Sequence, residues 1–158
     1  MKSLEYWQTR AAGLRFLDKA LIGSQQVSAN SGATFAAINP ATQQVLAQVA
    51  ACAEAEVDLA VATARRAFEQ GAWSRMAPVD RKKVLLRLAE LIMANREELA
   101  LLDSLNMGKP VMDAYTIDVP GAAGVFRWYA ESIDKLYDQI APAASSVLAT
   151  ITREALGV

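Results

Sequence analysis

From Glu54 to Tyr137 apolar residues recur with the 3.6-residue period of an α-helix, in three blocks separated by stop signals, and on either side the period falls to two. An apolar stripe of this kind is stable only when it is buried, so the chain must pack these helices on one another or on a sheet. The first block, Glu54 to Gln70, aligns Val57, Val61, Ala64 and Phe68, carries acidic residues in its first turn and stops at Gly71. The second begins near Pro78, suited to a first helical turn, and places Leu85, Leu88, Ile92, Leu99 and Leu102 along one side as far as Gly108-Lys109-Pro110. It is expected to be the longest element. The third begins at Asp118-Val119-Pro120, with Asp118 as its N-cap, and stacks Phe126, Ala130, Ile133 and Tyr137 on one face.

Strand signals flank this helical centre. After a start, Met1 to Ala20, compatible with a short helix, Leu21-Ile22-Gly23-Ser24 and Asn30-Ser31-Gly32 mark turns between short strands. Thr34 to Ile38 and the alternating Val45, Ala47 and Val49 read as two strands joined by the turn Asn39-Pro40-Ala41-Thr42. From Ser145 onward Val147, Ala149 and Ile151 alternate with Leu148, Thr150 and Thr152, a further strand. The segment is therefore expected to be α+β: an N-terminal β-hairpin region, three main helices and a C-terminal strand. The apolar ending Leu156-Gly157-Val158 reads as a cut through a longer chain.

Composition narrows the chemistry. With 158 residues, 53% of them hydrophobic and 21% charged, the chain has the make-up of a folded domain. Its formal net charge of -1, with no block of one sign, argues against nucleic acid as a partner. Charges interrupt every apolar run before bilayer length, and Met1 to Gln8 does not read as a secretory signal, so no membrane span and a cytoplasmic location are expected. No histidine and a single cysteine, Cys52, exclude a Ser-His or Cys-His pair, an internal disulfide and a zinc site of several His and Cys ligands within the chain.

Ile38-Asn39-Pro40-Ala41-Thr42, Ala64-Arg65-Arg66-Ala67-Phe68, Trp73, Arg81, Leu85 with Leu88-Ala89, Glu97-Glu98-Leu99-Ala100, Gly108-Lys109-Pro110, Arg127-Trp128-Tyr129-Ala130 and Arg153-Glu154 follow one another in order. In that order and spacing the chain resembles the start of the NAD(P)-dependent aldehyde dehydrogenase superfamily from about Leu21 onward. Tyr6-Trp7, Ala130 to Lys135 and the Ser-rich approach to the last strand look most like the γ-glutamyl-γ-aminobutyraldehyde dehydrogenases of putrescine breakdown.

The resemblance implies an α/β parent enzyme that oxidises an aldehyde to a carboxylate. A cysteine thiolate attacks the carbonyl, hydride passes to NAD or NADP, and a glutamate-activated water releases the acid. It assigns residues 1–144 to an incomplete N-terminal part of the cofactor-binding domain and 145–158 to the start of an oligomerisation arm. It places no catalytic and no cofactor-binding residue in this chain, which is expected to be inactive and to bind no cofactor alone. Association into a homo-oligomer through the last strand and uncovered helix faces is expected.

Within the resemblance, Asp118 matches a carboxylate near the mouth of the family's substrate tunnel, and Ile117 and Gly121 match neighbouring positions. Asp118 can cap its helix and serve this entrance at once. Many family members also hold a structural monovalent cation with the carbonyl preceding Asn-Pro, here that of Ile38, and a carboxylate two residues before Gly-Lys-Pro. Asn106 stands at the second position and offers a carbonyl oxygen without the charge. Gln43 stands where the family commonly has Gly, at a place that tolerates φ > 0, and Ala155 replaces the usual Pro.

Two motifs have plainer readings. Cys52, in Ala50-Ala51-Cys52-Ala53, is a nucleophile by type but has no base nearby in sequence, and a small semi-buried structural thiol is the competing reading. Lys109 suggests a phosphate ligand, yet it follows a helix end and lacks the glycines and following Ser or Thr of a P-loop, which favours a stop-and-turn. Three functions compete: a segment of an aldehyde dehydrogenase, a standalone assembly or binding module, and an unrelated small helical protein. A structure without the Asn39-Pro40 hairpin would favour the last.

Overall fold

The computed structural model describes residues 2–157. Helix α1, Leu4–Ala12, starts where the Ser3 hydroxyl accepts the Tyr6 N–H at 3.2 Å and stops at Gly13. Its buried Trp7 meets Tyr115 edge to face, with ring centroids 5.4 Å apart, and the Tyr6 hydroxyl donates to Glu97 at 2.6 Å. The N-terminal helix is thereby seated on the helices that follow.

Among the described residues six short strands form three separate antiparallel pairs. β1, Ala20–Ile22, and β2, Gln25–Val27, are joined by Gly23 and Ser24, both at positive φ (56° and 68°), which matches the twist of a two-residue hairpin turn. β3, Thr34–Ile38, pairs with β4, Val45–Ala50, with a register shift at Ala37/Ile38. Their turn is built by Asn39: its side-chain oxygen accepts the Ala41 N–H at 2.9 Å, its carbonyl accepts Gln43 N–H at 2.8 Å, and its own N–H donates to Gln44 at 2.9 Å. Gln43 sits at φ 61°, so the backbone keeps the left-handed conformation that glycine would adopt freely at this position. The hairpin removes the reading as an unrelated helical protein.

Helix α2, Glu54–Gln70, has the expected bounds. It starts without a capping oxygen on Ala53. Instead the buried Glu56 carboxylate accepts the Ala53 N–H at 2.7 Å and the Asn30 N–H at 3.0 Å, tying the loop before β3 to the helix start. These two donors hold the Glu56 carboxyl below the usual carboxylate range, with burial opposing them. A short helix, α3, spans Ala72–Arg75.

The expected single helix from Pro78 to Gly108 is two: α4, Pro78–Ala94, and α5, Arg96–Met107. Asn95 divides them, leaving helical geometry at φ -101° and ψ 20° while its side-chain amide donates to the Leu91 carbonyl at 2.8 Å. Asparagine competes for backbone partners in this way, which the apolar stripe running through both helices conceals. α5 ends at Gly108, whose φ of 75° is the left-handed cap expected of Gly-Lys-Pro.

A second correction concerns Asp118. Helix α6, Val111–Asp113, runs into a π-helical turn, Ala114–Asp118, and on into α7, Val119–Ser132, so Asp118 is helical (φ -72°, ψ -51°) and makes no capping bond. Tyr137 lies beyond α7 and is exposed, so the expected stack ends earlier. The last strand is also shorter than expected: β6 is Ala149–Ile151, paired with β5, Gln139–Ala141, while Thr152–Gly157 has no regular structure. Val158 lies outside the described residues.

α7 packs along α4, and alanines are buried on both, Ala89 on α4 and Ala123 and Ala130 on α7, small side chains that permit close approach. Lys82 of α4 clamps the end of α7 through Glu131 at 2.9 Å and Asp134 at 3.0 Å. A small apolar cluster of Ala100, Ala114 and Val119, with Ile92, Leu99 and Tyr115 against it, holds α5 to the π-turn. Outside this nucleus, large apolar side chains stand in solvent, among them Val57, Val61, Leu91, Trp128, Tyr129 and Ile140. The stripes read from the sequence are thus uncovered in part, as such helices would be without a sheet beneath them. No helix among the described residues is long and apolar enough to cross a membrane.

Candidate functional site

The chemistry-bearing residues converge where α5 ends and the π-turn leads into α7. Ser104 donates its hydroxyl to the Lys109 carbonyl at 2.7 Å, and the Gly108 cap turns the chain so that Lys109 points back across the π-turn. Its ammonium lies 2.6 Å from Asp118 Oδ2, the two side chains being 37% and 35% exposed. The adjacent Asp118 carboxylate raises the Lys109 pKa, burial opposes it, and the charges of Asp103 and Asp113 add to the rise. Lys109 is thus an ion-pair partner, in keeping with the stop-and-turn reading of its motif.

The π-turn fixes where Asp118 emerges. One extra residue in a helical turn rotates everything after it and frees a carbonyl from the regular ladder. Arg96 takes that carbonyl: its Nε donates to the Tyr115 oxygen at 2.5 Å and its guanidinium lies over the Tyr115 ring, 3.8 Å from the centroid. Asp118 then borders a shallow apolar depression of Ile92, Leu99, Val119 and Ala122, with Asp103 on its rim. Ile117 is 63% exposed, and Gly121 has open space where a Cβ would stand. The structure therefore brings Asp118 together with Lys109, a residue for which the sequence favours a stop-and-turn over a phosphate ligand.

The two cation positions are less closely joined. The Pro40 ring abuts the Gly108 cap, so the turn following Ile38 does meet the end of α5. The Asn106 amide nitrogen is engaged by its own helix, donating to Leu102 at 3.0 Å, and no hydrogen bond links Asn106 to Ile38 among the described residues. Nor do three or more Cys, Asp or Glu gather as a metal site among them. Cys52 is exposed in the loop between β4 and α2, which corrects the expectation of a semi-buried thiol: Ala51, Cys52 and Ala53 bridge two elements at the surface. Sequence reasoning misses Glu56 and Arg96. Glu56 has a signal, an acidic residue three positions after a helix boundary, whereas nothing local marks Arg96.

The Aldehyde dehydrogenase family matches residues 27–158. The chain is 47% identical over 156 residues to aminoacetaldehyde dehydrogenase of Pseudomonas aeruginosa, covering 99% of this chain and 32% of that protein. It is 43% identical over 155 residues to an NADP/NAD-dependent aldehyde dehydrogenase of Escherichia coli, covering 98% and 31%. Among solved structures it resembles γ-glutamyl-γ-aminobutyraldehyde dehydrogenase of Burkholderia cenocepacia with a TM-score of 0.87 and 46% identity, over 90% of this chain and 29% of that one. The chain spans about a third of the length of the curated relatives it matches. With the Asn39-Pro40 hairpin, the Gly108 cap and the Arg127 to Ala130 helix all falling within the matched region, the chain belongs to the aldehyde dehydrogenase family.

Proposed function

We propose that this chain works as the amino-terminal segment of an NAD(P)-dependent aldehyde dehydrogenase acting on an aminoaldehyde, and that it supplies scaffold, substrate entrance and assembly surface. The observation that carries this reading is the placement of Asp118: a π-turn and a lysine hold its carboxylate at the rim of an apolar depression. A fixed negative charge beside an apolar wall suits an aldehyde bearing an ammonium group on a short alkyl chain. The name of one relative, aminoacetaldehyde dehydrogenase, supports that substrate class.

Oxidation to the acid requires a thiolate nucleophile, a base and a dinucleotide, and no residue of this chain is assigned to them. The strand-turn-helix at β4 and α2 is the natural place to look for a phosphate cradle, but its turn lacks glycine. The Glu56 carboxylate already occupies the helix start. NAD or NADP therefore has no fitting cradle at this place, and on this reading the chain alone neither binds it nor turns over. In this reading residues 1–144 belong to the cofactor-binding domain and 145–158 to the oligomerisation arm. The exposed Ile140, Val147, Leu148 and Ile151 around the β5-β6 hairpin support an assembly role in a homo-oligomer. A monovalent cation shared by the Ile38 carbonyl and the Asn106 side chain is part of the same reading, supported by the contact of Pro40 with Gly108.

Asp118→Asn in the complete enzyme tests the entrance. It is expected to raise KM for cationic aldehydes well above any change for short alkyl aldehydes. Equal changes for both classes would refute the role.

A further inference from the structure

We propose that Lys109 is a specificity-determining residue of this entrance, which by pairing with Asp118 sets the charge that an incoming aldehyde meets. The inference rests on the reading that Asp118 faces the substrate, and adds to it a residue whose Gly-Lys-Pro motif favours a stop-and-turn and gives no sign of a part in aldehyde recognition.

Lys109 is held in place at its backbone. Gly108 fixes the turn before it at φ 75°, Pro110 restricts the turn after it, and the Ser104 hydroxyl grips its carbonyl at 2.7 Å. A side chain launched from so constrained a point samples little space, and its ammonium rests 2.6 Å from Asp118 Oδ2. That oxygen is out of contact with water and meets Lys109 as an ion pair without hydrogen-bond geometry, while the two side chains as a whole are over one-third exposed (37% and 35%), so a solute can reach the pair.

Asp103 and Asp113 act on the same ammonium by charge, while Asp118 alone pairs with it directly. Two of them, Asp103 and Asp118, border the apolar depression of Ile92, Leu99, Val119 and Ala122. With Lys109 in place, an ammonium-bearing aldehyde must share Asp118 with a tethered competitor, and selectivity for it is held down. Without Lys109 the same rim presents uncompensated negative charge beside an apolar wall. The lysine is thus a governor of charge selectivity, with no part in the bond-breaking steps.

The test uses the complete enzyme and one ratio: kcat/KM for an aldehyde with a terminal ammonium, divided by kcat/KM for an alkyl aldehyde of equal chain length. Lys109→Met is expected to raise the ratio about threefold, the size an exposed ion pair commonly carries, acting through KM and shrinking as salt is added. Lys109→Gln, which keeps a donor but no charge, is expected to raise it similarly. Lys109→Arg should leave it near the starting value. A ratio unmoved by Lys109→Met and Lys109→Gln, with Asp118→Asn still lowering it, overturns the role of Lys109 and leaves the entrance reading standing. A ratio unmoved by all of them, Asp118→Asn included, overturns both.

Discussion

Replacing Gly108 by alanine isolates the contact that joins the Asn39-Pro40 turn to the end of α5. Gly108 sits at φ 75°, where a side chain costs about 1–2 kcal/mol, partly offset by about 0.4–1 kcal/mol from the stiffer unfolded chain. A Cβ there would also lie 3.0 Å from Pro40 Cγ, forcing one turn away from the other. Gly32 supplies the control, because it shares the left-handed conformation (φ 69°) but has nothing within 4 Å of the place a Cβ would occupy. Gly32→Ala should therefore lose about 1 kcal/mol from the dihedral alone. Gly108→Ala should lose about 2 kcal/mol, the added part coming from overpacking. In thermal unfolding the difference between the two amounts to roughly 2–4 °C. In a Pro40→Ala background the excess at Gly108 should vanish, a coupling that a double-mutant cycle reads directly. Equal losses for Gly32→Ala and Gly108→Ala would refute the reasoning, since the Pro40 contact would then have no energetic meaning.

Glu56 and Arg96, which carry no motif, each support a further prediction. Glu56 has its carboxyl pKa lowered by the Ala53 and Asn30 amides, so its stabilising effect is present above the unfolded carboxyl pKa and is lost as pH falls through the lower folded value. Glu56→Gln should flatten the acid limb of a stability-pH curve and speed hydrogen exchange at the Asn30 and Ala53 amides; an unchanged acid limb would count against it. Arg96→Met should lose about 1–2 kcal/mol of stability by orphaning the Tyr115 carbonyl in the π-turn. It should also raise KM for cationic aldehydes by displacing Asp118, and unaltered stability with unaltered KM would remove Arg96 from the account.

The sequence is informative where one local rule decides the outcome. Gly23-Ser24, Asn39 and Gly108 each impose a turn by backbone geometry or by a side-chain bond to neighbouring amides, and all three turns occur where those residues stand. α2 has the expected limits because its acidic start and Gly71 stop agree with its stripe. Where two signals conflict, the stronger periodicity masks the weaker local one. The stripe from Leu85 to Leu102 hides the break at Asn95, and Asp118-Val119-Pro120 looks like a helix start although Pro120 sits in the first turn after a π-bulge. The Lys109 to Asp118 pair and the Arg96 hold on Tyr115 join residues 9 and 19 positions apart through tertiary packing, and no periodicity encodes them. Cys52 defeats the sequence reading because its small apolar neighbours suggest burial, while the loop they form lies at the surface.

The most direct measurement is on a chimera in which residues 1–158 replace the matching third of the Pseudomonas aeruginosa aminoacetaldehyde dehydrogenase. NADH formation with aminoacetaldehyde and NAD+ is then followed alongside oligomer size and melting temperature. The account predicts a folded chimera with the parent's own assembly size and turnover of the parent's order, and a loss of preference for the cationic aldehyde when Asp118→Asn is added. A folded, correctly assembled chimera that forms no NADH would contradict it.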